Sequence, residues 1–372
     1  MKKLFTLLTL LVATVTCAWA QGTYGVQAGG EDFASGTQVT SVPNMTMTYG
    51  VSGGADFKAP SEQKALESVL GATGFTAGNN VNGKIDSGTV YYFEPTANGT
   101  LTVGFVLNSG KNFWVKTTDD EQDVEFISFT NASGEEVKNA DDNTFKSGDK
   151  VAAKLTGGLV TFSVVSGKKY AVFCTGSKLG YYGFKFAVTS FNVTPAYDKS
   201  TYVAPAALDF SAVSPAGLKA YVATAAASGS VTLDEVTTVP AGTPVLLIGT
   251  AGTEYTVPVA ASASAPATNL LAAGDGTTAF DGSSFDYILA SDGLFHQISS
   301  GTVAEGKAYL HCASNPTASA PYLTLNFGDV TGINEVQSAG AKVNGYFDLL
   351  GRKVAQPTKG LYIVNGKKVV IK

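Results

Sequence analysis

Thr89-Val90-Tyr91-Tyr92-Phe93-Glu94-Pro95, followed after a short connection containing Asn98-Gly99 by Leu101-Thr102-Val103-Gly104-Phe105-Val106-Leu107, is the stretch that decides the fold class. In the second run Leu101, Val103, Phe105 and Leu107 share one face of a strand, and Asn-Gly tolerates positive φ, so the spacing predicts a β-hairpin. The same period of two recurs in Val160, Phe162 and Val164 and again in Tyr182, Phe184, Phe186 and Val188. One buried face per strand calls for sheets packed face to face, so residues 39–193 read as a β-sandwich in an all-β chain. Only residues 61–70 read as helix, with Ala65, Leu66, Val69 and Leu70 at helical spacing, Pro60 before them and Gly71 after.

Working outward, residues 21–38 read as a flexible N-terminal segment. Residues 194–208 turn to Pro, Ala, Tyr and Ser with little alternation, the composition of a linker. A second β domain is expected over 209–330, where short strand-like runs recur. Within it Val239-Pro240-Ala241-Gly242-Thr243-Pro244-Val245-Leu246-Leu247 is echoed by Val303-Ala304-Glu305-Gly306-Lys307-Ala308-Tyr309-Leu310-His311. Each copy sets a glycine turn before a strand, which suggests two equivalent corners of one domain and is too sparse for a solenoid. A hydrophilic link at 331–345 precedes a tail, 346–372, that reads as three strands with two tight turns. A piece that small buries too little apolar surface to stand alone.

Composition bounds the function. The chain has 372 residues, 44% hydrophobic and 15% charged, which excludes strongly disordered and collagen-like classes. Charge is uneven: +2 over residues 1–20, −4 over 21–200, −8 over 201–330 and +5 over 331–372. With an acidic middle and Arg352 as its one arginine, the chain offers no electrostatic footprint for a phosphate backbone, so nucleic acid is not an expected partner. Lys2 and Lys3, the apolar stretch from Leu4 to Val15 and Ala18-Trp19-Ala20 read as a secretory signal over 1–20. No run reaches the roughly 20 apolar residues of a membrane-spanning helix. Cys17 invites a lipoprotein reading, but Thr14 and Thr16 stand where an aliphatic and a small residue are wanted. Cys174 and Cys312 lie in apolar strand-like runs and read as buried thiols rather than a disulfide.

Catalytic signals are thin. His296 and His311, the chain's two histidines, sit in strand-like runs with no carboxylate paired to them by sequence, so neither a nucleophilic triad nor a zinc site is expected. Asp119-Asp120-Glu121-Gln122-Asp123 and Asp141-Asp142-Asn143 read as solvated loops; calcium binding is the next use for such loop carboxylates, ahead of glycoside hydrolysis. The chain reads as a non-enzyme that requires no cofactor.

Two family resemblances follow from motifs. Tyr346-Phe347-Asp348-Leu349-Leu350-Gly351-Arg352-Lys353-Val354 with Lys359-Gly360-Leu361-Tyr362-Ile363-Val364-Asn365-Gly366-Lys367-Lys368-Val369-Val370-Ile371 resembles the C-terminal sorting signal of proteins exported by the type IX secretion system. That resemblance implies contact with secretion machinery and passage to the cell surface or medium. The segment from Asn80 to Val188, through Asn80-Val81-Asn82-Gly83, Gly88-Thr89-Val90-Tyr91-Tyr92-Phe93-Glu94-Pro95, Asn98-Gly99-Thr100-Leu101, Leu107-Asn108-Ser109-Gly110-Lys111 and Thr175-Gly176-Ser177-Lys178-Leu179-Gly180-Tyr181-Tyr182-Gly183-Phe184, resembles the jelly-roll, carbohydrate-binding-like modules found beside pectate lyases.

Sugar binding on such modules uses exposed aromatic faces with polar groups beside them. Trp114 and Tyr181 are the candidate stacking residues, and Lys178 and Asn112 the candidate hydrogen-bonding ones. Tyr182 shares parity with Phe184 and Phe186, so Tyr181 is expected to face outward. The function expected is that of a non-catalytic secreted or cell-surface protein binding polysaccharide or acting in adhesion. The alternatives are a structural or protein-binding surface component with no sugar site, and a polysaccharide-active enzyme.

Overall fold

The computed structural model describes residues 21–27, 35–50, 64–80, 84–86, 88–107, 110–152, 156–175, 177–316, 322–327, 346–347, 353–354, 359–364 and 367–371. They are almost entirely β-structure and divide into two compact units, one up to residue 328 and one from residue 329. The expected signal at 1–20 and link at 331–345 lie outside the described residues.

In chain order the first unit begins with β1 (Gln21–Gly25), β2 (Gln38–Val39), β3 (Met45–Tyr49), the helix α1 (Lys64–Leu70) and β4 (Thr76–Asn80). It continues with β5 (Tyr91–Pro95), β6 (Asn98–Leu107), β7 (Phe113–Thr117), β8 (Phe126–Thr130), β9 (Thr156–Val164), β10 (Tyr170–Cys174) and β11 (Ser177–Val193). One sheet runs β1-β11-β6-β9-β8, with β4 also on β11; the other runs β2-β3-β5-β10-β7. From β4 to β7 successive strands alternate between the sheets, giving the jelly-roll interleave β4-β11-β6-β9 over β5-β10-β7.

The Asn98-Gly99 hairpin does not form. β5 pairs with β3 and β10 while β6 pairs with β11 and β9, so the connection between them crosses from one sheet to the other. Asn98 ties this crossing down: its Nδ2 donates to Ser190 Oγ (3.1 Å) and Asn192 Oδ1 (2.8 Å), and its Oδ1 accepts from Ser166 N (2.8 Å). Gly99 is needed for closeness rather than for a turn. A Cβ there would stand 2.3 Å from Ala187 O and 2.6 Å from the Phe186 ring.

Strand β11 is the spine. β6 pairs along one of its edges from Leu179 to Ser190, while β4 takes residues 177–181 and β1 residues 183–187 on the other. Two register shifts against β6, at Tyr181/Gly183 and Val188/Ser190, each insert one residue and so reverse which parity faces inward. Tyr181, Phe184, Phe186 and Val188 therefore all enter the sandwich core, and past the second bulge Phe191 and Val193 do. Tyr182, the residue inserted at the first bulge, turns to the other face and packs under α1 with Leu66, Leu70 and Val106. The segment from Gln21 to Gly25, expected to be flexible, is a paired edge strand of this sheet.

Aromatic rings join the sheets. Phe105 stacks on Phe113 at 3.8 Å, Tyr91 on Tyr181 at 4.3 Å, and Phe93 meets Phe184 edge-on at 5.3 Å. Such contacts add about 0.5–1.5 kcal/mol each beyond the area they bury.

The strands after β11 are β12 (Lys199–Val203), β13 (Leu208–Asp209), β14 (Lys219–Ala227), β15 (Ser230–Val236), β16 (Thr238–Val239), β17 (Pro244–Ile248) and β18 (Tyr255–Pro258). They continue with β19 (Leu271–Ala273), β20 (Ala279–Phe280), β21 (Phe285–Leu289), β22 (Phe295–Gln297), β23 (Gly301–Thr302), β24 (Ala308–Cys312) and β25 (Tyr322–Phe327). Nine form one sheet, β12-β17-β14-β15-β25-β22-β21-β24-β19. The stretch 194–208 is not a free linker, since it contains β12 within that sheet. Nor are the two β regions separate: β18 pairs with β11, and the sandwich core continues into Leu208, Leu218, Val245, Leu247, Tyr255 and Val257. β17 is apolar on both faces because Val245 and Leu247 enter that core while Leu246 enters a second one with Tyr287, Phe295 and Leu310. The two echoed segments do form matching corners, with Gly242 at φ 76° and Gly306 at φ 77°. Neither Cys174 nor Cys312 forms a disulfide, and both are buried.

The second unit is a four-stranded sheet of residues 346–347, 353–354, 360–364 and 367–371, one strand more than expected, and it leaves Leu361, Val369 and Val370 exposed.

Gly183 tests the bulge. It sits at φ 133°, and a Cβ there would lie 2.0 Å from Tyr24 O, so β1 would have to move. Gly183→Ala should lower stability by about 2–4 kcal/mol in urea titration, whereas Gly110→Ala, at φ 68° with open space around it, should cost about 1–2 kcal/mol.

Candidate functional site

The outer side of the sheet β2-β3-β5-β10-β7 carries the rings of Trp114, Phe173 and Tyr92. Register places Trp114 beside Phe173, and Lys116, Ala171, Tyr92 and Thr48 in the adjoining row. Phe173 and Val90 are buried there beneath Ile85, and Tyr92 Oη donates to Ile85 O at 2.7 Å. Trp114 and Tyr92 are left half-buried, facing outward.

Both rings are held in the same way. Lys116 Nζ lies 5.1 Å from the Trp114 ring centre and 3.3 Å from Asp123 Oδ1. Lys169 Nζ lies 4.7 Å from the Tyr92 ring centre and 2.9 Å from Glu94 Oε1. Each unit is thus an aromatic ring, an ammonium over it and a carboxylate beyond. Cation–π contacts at exposed sites contribute about 0.5–1 kcal/mol and exposed ion pairs no more, so these units orient side chains more than they stabilise the fold. Trp114 Nε1 donates to Thr175 Oγ1 at 3.2 Å, and a Cβ on Gly148 would meet the indole at 2.6 Å.

Of the four residues singled out by sequence, Trp114 and Asn112 belong to this region. The Asn112 side chain donates to Gly148 O, which seats the Gly148 loop against the indole and makes Asn112 a positioning residue. Lys178 pairs through its backbone with Asn79, and its side chain lies outside the described residues.

Tyr181 is not on the surface. It is fully buried, stacked on Tyr91 and edge-on to Tyr49, because the bulge at Tyr182 reverses the parity on which its outward placement rested. Tyr92, Phe173, Lys116 and Lys169, which complete the outer face, were missed. Their only signal is cross-strand register between β7, β10 and β5, which a single sequence does not display.

Both histidines turn out to be paired. His311 Nδ1 donates to Asp286 Oδ1 at 2.7 Å, and the largely buried Asp286 also accepts from Ser284 Oγ. His296 Nε2 donates to Asp292 Oδ2 at 2.8 Å. Backbone hydrogen bonding from Leu294 and the His296 contact hold the Asp292 carboxyl below its usual range. Among the described residues no three His, Cys, Asp or Glu side chains gather as a metal site.

The interior tyrosines carry a pH prediction. Burial pushes the Tyr181 phenol well above its ordinary value, and burial raises Tyr91 as well. The unfolded chain ionises first as pH rises past about 10, so it then binds fewer protons than the folded chain and stability falls with further alkalinity. Tyr181 Oη is buried with no hydrogen-bond partner among the described residues. Tyr181→Phe should therefore raise stability at pH 7 by about 0.5–1 kcal/mol and soften the alkaline loss, both read by urea titration at pH 7 and pH 11.

Neither a family model nor a curated protein matches this chain.

Proposed function

We propose that the chain is an exported, non-catalytic surface protein that binds glycan through the outer face of its jelly-roll sheet. The observation that carries this reading is the pair of repeated units, Trp114–Lys116–Asp123 and Tyr92–Lys169–Glu94, on one side of one sheet. An aromatic ring meets the apolar face of a sugar, while an adjacent ammonium and carboxylate supply a donor and acceptors for its hydroxyls. Both arrive pre-oriented, which lowers the ordering cost of binding.

The jelly-roll order of the strands agrees with the resemblance to carbohydrate-binding modules. Export rests on the signal-like residues 1–20 and on the resemblance of the tail to a type IX sorting signal. The compactness of the tail as a unit of its own suits a segment read by export machinery.

The test is retention of the full chain on immobilised pectins, xylans, glucans and mucin glycans. Trp114→Ala and Lys169→Ala should each weaken retention on the bound polymer about tenfold with the circular dichroism spectrum unchanged. Retention on none of these polymers by the intact chain would favour the structural or protein-binding alternative.

A further inference from the structure

We infer that the outer face of the nine-stranded sheet is a second glycan-contact surface, suited to an uncharged polysaccharide; this rests on the glycan reading above. Four strands, β25, β22, β21 and β24, line up outward-facing side chains in one row. His296 stands opposite Tyr322 on one side and opposite Ile288 on the other. Since Tyr287 pairs with Leu310, Tyr309 is the next position of that row, and it pairs onward with Ala272. The neighbours that alternate with them, Tyr287, Phe295, Leu310 and Leu323, fill the core behind, so the row faces away from it.

The row is open and ordered at once. Tyr322 is 38% and Ile288 41% exposed, large values for such side chains in a sheet. The His296 ring lies 6.0 Å from that of Tyr322 and is fixed by Asp292. At the other end Phe280 meets Tyr309 edge-on at 4.9 Å, and both line a cleft with Asp275, Thr278 and Val303. His311, held by Asp286, projects beside the row with more than half its side chain exposed. Spaced about 4.8 Å per strand, the row spans about 14 Å from Tyr322 to Tyr309, long enough for a chain rather than a single small molecule.

Chemistry selects the occupant. Rings interleaved with oriented imidazoles present stacking faces and hydrogen-bond groups in alternation, as a hydroxylated ring polymer needs. A protein partner would favour a continuous apolar patch, which the imidazoles interrupt. Residues 201–330 carry −8, and their lysines, Lys219 and Lys307, are not in the row, so a polyanionic chain is repelled.

Affinity electrophoresis of the full chain through gels containing galactomannan, xyloglucan or mixed-linkage β-glucan, with polygalacturonate as the anionic comparison, tests this. Tyr322→Ala and Tyr309→Ala should each weaken retardation by an uncharged polymer at least fivefold, with polygalacturonate giving none through this face. Tyr309 packs on Phe280, so the exposed Tyr322 carries the test should Tyr309→Ala unfold. Loss in Trp114→Ala alone, with both row variants unchanged, overturns this inference and leaves the jelly-roll site standing. Loss in the row variants alone supports it and removes the Trp114 face as the main site. No retardation of the intact chain by any uncharged polymer overturns it, while retention on polygalacturonate would keep the first reading.

Discussion

Everything in the larger unit leans on the pairing of one long strand along both its edges. β11 meets β6 on one side and β4, β1 and β18 in succession on the other, so its backbone groups are satisfied by segments from four distant parts of the chain. An unpaired edge of that length would invite association with other chains. The β6 pairing brings together residues about 80 apart, which makes β11 both the stabilising seam and a costly one to close during folding.

The two bulges make that seam serve two cores. A strand of strict period two would send alternate residues to one face throughout; the inserted residues let β11 fill the sandwich with Tyr181, Phe184, Phe186 and Val188 and still place Tyr182 under α1. Glycine allows the other close fits. Gly104 admits Leu70 of the helix, since a Cβ there would stand 2.4 Å from Leu70 Cδ1.

Much of the fold was legible in local pattern. The all-β class, the short helix ending at Leu70, the strands with one apolar face and the matched corners at Gly242 and Gly306 all depend on neighbours in sequence. What failed depends on partners far away. Asn98-Gly99 has hairpin chemistry, yet Asn98 finds Ser190 and Asn192 and the strands on either side join different sheets. Tyr181 was misplaced because a bulge is invisible to parity counting. The candidate site was legible at Trp114 and Asn112; its companions Tyr92, on β5, and Lys169, just before β10, are brought alongside by a strand order no local rule supplies, and the carboxylates facing His296 and His311 lie 4 and 25 residues away.

The shared core between the jelly roll and the strands that follow it sets a limit on how this architecture can be taken apart. Removing the chain after Val193 would strip β18 from β11 and uncover Phe191 and Val193, which otherwise sit against Tyr255 and Val257. Asn192 would lose the hydroxyl of Thr256. The jelly roll is therefore not a detachable cassette. It and the nine-stranded sheet share one packed core, so any recombination that exchanges one must carry the other across the same seam.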